Sequence, residues 1–231
     1  LIQFLRFLTS PQLKIPNFIG CESKSDTEMI RQKYNSKNVE TLYNWPSLNE
    51  DKNNIPSKYL KILDIYKNVS IKNLNFLRGI YTGNSSISHD FQRGINFLSG
   101  YYKVKRKSDL MINQFSSIDN LTISKQCYSK NFVKKKWEMV PDYILPKIFN
   151  LSDFGIVSLN TKHLTNNLPG KFISYIQFGL PVLCFANKKS ELSEIIIKNN
   201  CGCVIDLDDD KEINFNKISK FLNDLKINKN V

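Results

Sequence analysis

From about residue 77 the chain alternates short apolar, often β-branched runs with amphipathic stretches of helical length, each pair separated by Gly, Pro, Asn, Asp or Ser. Repeated strand–helix units produce this pattern. A strand covered on both faces reads apolar throughout, whereas the helix that covers it is apolar only at intervals of three and four. Strands are predicted at Leu77–Thr82, Leu110–Gln114, Asn131–Lys134, Phe154–Leu159, Val182–Ala186 and Cys203–Asp206, with helices near 90–101, 119–127, 142–150, 169–178, 190–199 and 213–226. Six such units imply an α/β fold built on an open, doubly wound parallel sheet, whose ligand crevice lies at the carboxyl ends of the strands. That places the candidate functional loops at 83–89, 115–118, 135–141, 160–168 and 187–190.

The first 76 residues read differently. Phe18–Cys21 and Val39–Tyr43 have strand character, Lys24–Tyr34 helical character, and Ser57–Asn68 a helix that starts just after Pro56. The segment Asn44–Ile55, rich in Asn and Asp with Pro46, reads as a connector. A boundary is expected near residue 20, with 1–20 the truncated remnant of an N-terminal domain and 21–226 the main domain. The chain begins at Leu1 and not at Met, which points to a piece of a longer protein.

Composition agrees with a globular chain: 41% of the 231 residues are hydrophobic and 23% charged, and no run near 18 uncharged apolar residues exists to suggest a membrane span. Five cysteines, an odd number set mostly in apolar runs, suit small buried thiols better than a disulfide framework. With only His89 and His163 available and no Cys-x-x-Cys, a zinc site is not expected. The net charge of +12 includes Lys103-Val-Lys-Arg-Lys107 and Lys134-Lys-Lys136. A solvated basic surface is the first reading of these runs and peripheral contact with an anionic membrane the second. Nucleic acid is not expected, because the aromatics form no RNA-binding signature.

The most informative local stretch is Leu168-Pro-Gly-Lys171 through Phe178-Gly-Leu-Pro-Val182. Pro169 fits a helix start, Gly179 a left-handed stop, and Pro181 bars continuation before a buried strand. The free N–H groups of that helix start and Lys171 would then face the crevice, as in an anion site, although an ordinary strand–helix unit with a solvated Lys171 has the same pattern. Tyr81-Thr-Gly83-Asn-Ser-Ser86 follows the first strand of the main domain. Gly83 would let backbone amides approach a phosphate, with Arg93 on the next helix, yet neither a Walker sequence nor a Gly-x-Gly-x-x-Gly fingerprint is present, and taken alone a plain strand–helix turn is the first reading. The Asp206–Asp210 run reads as a solvated acidic turn and not as a metal-binding pair.

Asp153-Phe-Gly-Ile-Val-Ser-Leu159, Leu168–Leu183, Ser190-Glu-Leu192 and Asn200-Cys-Gly-Cys-Val-Ile-Asp206, in that order and spacing, resemble the donor-binding, C-terminal half of GT-B glycosyltransferases. The likeness is greatest to family 4 enzymes of bacterial polysaccharide synthesis, of the O-antigen or colanic-acid type, and covers about 18–226. Leu42-Tyr-Asn-Trp-Pro46 looks like that family's connector. The resemblance implies a Rossmann-like donor domain that holds the diphosphate of a nucleotide-sugar through Gly83, Asn84, Arg93, Pro169, Gly170 and Lys171. It also implies a retaining, metal-independent transfer that uses no cofactor, a saccharide or lipid-linked acceptor, and a cytoplasmic enzyme peripheral to the inner membrane face. Residues 1–20 would be what is left of the acceptor domain. The family's two glutamates, eight residues apart, fall at Asn166 and Ser174, which can hydrogen-bond the sugar and ribose but carry no charge. A catalytic group is therefore not assigned, and an inactive nucleotide-binding module derived from such a transferase is the alternative.

Overall fold

A computed structural model describes residues 18–34, 38–43, 55–72, 76–83, 89–105, 109–117, 124–129, 131–160 and 168–229. In chain order the elements are β1 (Ile19–Cys21), α1 (Lys24–Tyr34), β2 (Val39–Thr41), α2 (Ser57–Lys72), β3 (Phe76–Thr82), α3 (Phe91–Val104), β4 (Asp109–Ser116), β5 (Ser124–Ser129) and β6 (Phe132–Glu138). A 3-10 turn at Asp142–Ile144 then leads into α4 (Leu145–Phe149), β7 (Phe154–Ser158), α5 (Gly170–Gln177), β8 (Val182–Phe185), α6 (Glu191–Lys198), β9 (Gly202–Ile205) and α7 (Lys211–Lys229).

The main sheet has the order β5-β6-β4-β3-β7-β8-β9. All neighbours from β6 to β9 are parallel, and only β5 runs antiparallel at the edge. The chain builds outward from β3 through β4 to β6, then returns to the other side of β3 as β7. The strand order thus reverses between β3 and β7, where a doubly wound sheet opens its crevice. Alternation along the strands feeds two cores. Leu77 and Tyr81 of β3, with Phe154 and Leu183, pack against Phe91 and Ile95 of α3 and Ile218 and Leu222 of α7. Ile80, Val157 and Cys184 face the other way, onto Tyr66 of α2, Ile148 of α4, Phe172 and Tyr175 of α5 and Ile196 of α6.

Every strand predicted from Leu77 onward is present, with ends shifted by a few residues. The helix expected at 119–127 is not: 124–127 belongs to β5, and 119–123 lie outside the described residues. Leu121, Ile123 and Cys127 fall at alternate positions, as in a strand, and β5 pairs antiparallel with β6, Ser129 opposite Phe132. β6 also runs on to Glu138, so three consecutive lysines lie within a strand and the crevice segment there begins only at Met139. Helix α6 is capped by Ser190, whose hydroxyl accepts a hydrogen bond from the Ser193 amide at 3.2 Å.

The first two strands form a sheet of their own, with Ile19 opposite Val39 and Cys21 opposite Thr41, closed over by Ile30 of α1. This βαβ unit meets the main domain on one carboxylate. Glu191, in the first turn of α6, accepts the Lys24 N–H at the start of α1 (3.0 and 3.2 Å) and the Tyr43 hydroxyl (2.7 Å). No helix among the described residues is long and apolar enough to cross a membrane.

Candidate functional site

The site is assembled at the switch point by β3, β4 and α5. β3 ends in Tyr81-Thr82 and turns at Gly83, whose φ of +100° suits a residue without a Cβ. The Gly83 N–H donates to the Phe115 carbonyl of β4 at 2.8 Å, so this amide braces the loop and is not presented to a ligand. A Cβ on Gly83 would lie 3.6 Å from Lys171 Nζ, which puts the ammonium directly above the turn. The same ammonium sits 4.0 Å from the centre of the Tyr81 ring, itself stacked on Phe91 at 3.8 Å. A cation over the face of an aromatic ring is held by the ring quadrupole without an anionic partner. Among the described residues Lys171 has none.

Lys171 is the second residue of α5, which starts at Gly170 after an extended Pro169 (ψ 131°). The first amides of a helix have no intrahelical acceptor, so the positive end of α5 and the ammonium point the same way. The Phe172 N–H is taken by the Pro169 carbonyl at 2.9 Å. Tyr175, one turn on, fixes where α5 ends up. Its ring rests on Gly155 of β7, where a Cβ would come within 2.2 Å of the ring, and its hydroxyl accepts the Thr82 N–H at 3.0 Å. Helix α5 is thus tied to the end of β3 through a buried phenol. Between them opens a cleft of about 350 Å³, lined on one side by Thr82, Gly83, Gly170, Lys171 and Ser174 and on the other by Phe115, Met139, Val140, Asp142 and Leu145.

Burial dominates the electrostatics. It pushes the Lys171 ammonium down from its ordinary 10.5 to about 8 and the Tyr81 phenol up to about 12. Tyr175 is also pushed up by burial. His89, just before α3, is lowered by burial first and by the nearby charge of Lys171 second, and its bond to the Ser158 backbone acts the other way. The Nδ1 atom of His89 is buried and has no partner among the described residues.

Of the residues expected at the site, Gly83, Gly170, Lys171 and Ser174 line one cleft, with Pro169 at the helix start beside it. Ser174 Oγ donates back to the Gly170 carbonyl at 3.1 Å. Arg93 is not brought to this group; its guanidinium pairs with Asp208 at 2.6 Å. Asn84 and Asn166 lie outside the described residues. The acidic run is less solvated than expected: Asp206 is 4% exposed and accepts the Lys188 N–H at 2.9 Å, while Asp209 pairs with Lys188 Nζ at 2.6 Å. It closes the α7 end of the sheet with local ion pairs. Tyr81, Tyr175 and His89 were not singled out from sequence as site residues. The signal for Tyr175 was its place four residues after Lys171, on the same helix face.

No family profile and no curated protein matches the sequence. Solved structures do. The chain superposes on WaaG, a glycosyltransferase involved in lipopolysaccharide biosynthesis, with a TM-score of 0.55 and 14% identity over 91% of this chain and 55% of that one. The chain has the Rossmann-like fold of GT-B glycosyltransferases. The trehalose-6-phosphate synthase OtsA gives a TM-score of 0.54 at 10% identity, covering 89% of this chain and 52% of that one. S. aureus TarM in complex with fondaparinux, alpha-GlcNAc-glycerol and UDP gives 0.52 at 14%, covering 90% and 37%. The chain therefore spans about half the length of these structures or less.

Proposed function

We propose that this chain is the nucleotide-sugar-binding part of a glycosyltransferase that moves a sugar to a saccharide or lipid-linked acceptor in cell-surface polysaccharide synthesis. The observation that carries the reading is the convergence of Lys171, the start of α5 and the Gly83 turn on one cleft at the switch point of a GT-B fold. A diphosphate seated there meets a desolvated ammonium and a helix N-terminus. As the glycosyl bond breaks, negative charge grows on the departing nucleoside diphosphate, and cations already in place stabilise that charge without reorganising. The apolar side of the cleft, Phe115, Met139, Val140 and Leu145, suits the flat face of a base. Ser174, and Asn166 by its place in the sequence, would contact donor hydroxyls. The reading includes a family 4-like, retaining and metal-independent reaction with no cofactor, at the inner face of the cytoplasmic membrane, and it takes residues 1–20 as the remnant of the acceptor-side domain and 21–226 as the donor domain.

The binding test is thermal denaturation with UDP and GDP. At a concentration of about 100 times Kd a ligand specific for the native state adds about 2.7 kcal/mol, a clear rise in Tm. No shift with either nucleotide at millimolar concentration would overturn the donor-site reading. The alternative is binding without turnover, since Asn166 and Ser174 stand uncharged where the resembling family has two glutamates. Release of sugar from UDP-glucose or GDP-mannose by the full chain distinguishes the two.

A further inference from the structure

The main sheet stops at β9, with no strand beyond it among the described residues. On the inner side the Cys201 and Ile205 carbonyls accept the Val182 and Ala186 N–H groups at the two ends of β8, at 3.0 and 3.1 Å. Backbone groups of successive strand residues point to opposite sides, so Gly202 and Val204 turn theirs outward, away from β8. That outer side is a groove. Two hollows of about 410 and 270 Å³ share Asn200, Gly202, Phe221 and Asp224 and so run together along β9 beside α7. Left-handed Asn200 (φ 48°) makes the turn from α6 into the strand. Ile197 of α6 and Ile227 of α7 line the groove although 62% and 64% exposed, apolar area that no described residue covers. Three lysines reach the lining against one carboxylate, that of Asp224. Lys188 is paired with Asp209 at 2.6 Å, but Lys217 and Lys220, a turn apart on α7, have no anionic partner among the described residues.

We propose that this groove takes an extended acidic segment of a partner protein, which adds to β9 as a further strand of the main sheet. Strand addition satisfies the outward N–H and C=O groups of Gly202 and Val204, and alternate side chains of the incoming segment then point to the two walls. Its carboxylates meet Lys217 and Lys220, and its apolar residues meet Ile197 and Ile227. The same charge selects against a second copy of this chain. Edge-to-edge pairing about a two-fold axis would set Lys217 and Lys220 near those of the other copy, and like charges placed together in this way keep a free edge from pairing with itself. The groove shares no lining residue with the Lys171 cleft, and β8 lies between it and the switch point. The proposal therefore goes beyond the nucleotide reading and does not depend on it.

The test titrates the full, isotope-labelled chain with short capped peptides that alternate Val with Glu, and with counterparts that alternate Val with Lys or Val with Ser. The Val–Glu peptide should shift the amide resonances of Gly202–Ile205. It should also slow hydrogen exchange at Gly202 and Val204 by about threefold or more, with less effect at Cys203 and Ile205, whose backbone groups already face β8. The Val–Lys peptide should bind about tenfold more weakly than the Val–Glu peptide. The double variant Lys217→Glu/Lys220→Glu changes two exposed side chains, so it should melt near wild type while reversing that order of preference. Equal binding of the three peptides, or no binding of any at millimolar concentration, overturns the proposal. So does a dimer in sedimentation that protects Gly202 and Val204 without peptide, which would give the edge to a second copy. The wild-type comparison of peptides needs no variant, so the outcome does not depend on the double variant folding.

Discussion

Replacing Lys171 by Met should weaken nucleotide binding and, at neutral pH, make the free protein more stable. The ammonium is held at about 8 against an ordinary 10.5 by burial. At 1.36 kcal/mol per pH unit this difference is about 3 kcal/mol of unfavourable desolvation, of which the cation–π contact with Tyr81 returns about 0.5–2 kcal/mol. Methionine fills the same path over Tyr81 without the charge, leaving a net stabilisation on the order of 1–2 kcal/mol, or a rise of roughly 2–6 °C in Tm for a chain of this size. The sign with pH is defined. The folded-state value lies below the unfolded one, so between 8 and 10.5 the unfolded chain binds more protons and wild-type stability rises with pH. The advantage of Lys171→Met is therefore full below about 8 and gone above about 10.5. Loss of a charge-assisted contact of about 1.5–3 kcal/mol should at the same time raise Kd for UDP or GDP by roughly 10- to 150-fold. Melting curves across pH, with and without nucleotide, measure both effects. A variant with lower Tm than wild type at pH 7, or an unchanged nucleotide response, would refute the assignment of Lys171 as a desolvated phosphate cation.

Gly155→Ala places a methyl within 2.2 Å of the Tyr175 ring and must displace α5. It should destabilise the fold by about 1–3 kcal/mol or more, and urea midpoints together with a lost nucleotide response would show it. Glu191→Gln removes the charge that meets both the Lys24 amide and the Tyr43 hydroxyl. A loss of about 1–3 kcal/mol is expected, with amide exchange faster over 19–41 than in the main sheet, and equal exchange in both variants would discount the contact. Arg93→Ala breaks a solvent-exposed pair with Asp208. It should change stability by less than about 1 kcal/mol and leave nucleotide affinity unaltered, whereas a large loss of affinity would return Arg93 to the site.

The main sheet was legible because burial on both faces leaves a plain mark on its central strands: the apolar runs Phe154–Val157 of β7 and Val182–Phe185 of β8, the second set off by Pro181, and β3 closed by Gly83. β5 was not, since an edge strand is covered on fewer sides and can be as polar as Ser124-Lys-Gln126, and its antiparallel partner β6 has three lysines in seven residues. Helix α5 and its two ends could be placed from Pro169 and Gly179 alone, because backbone restrictions of that kind act locally whatever the rest of the chain does.

By itself, then, the sequence determined the alternation of strands and helices, the doubly wound sheet and the candidate anion site at the start of α5, all properties of neighbouring residues. Only the tertiary structure decided which candidates share a cleft. It seated Lys171 over Tyr81 and Gly83, sent Arg93 to Asp208 and turned the Gly83 amide to Phe115. Each depends on the order in which parallel strands lie side by side, which brings together residues separated by some 80 positions of chain, as in Thr82 and Tyr175 with a separation of 93. Such pairings come from the packing of whole elements, and no local pattern of residues encodes them.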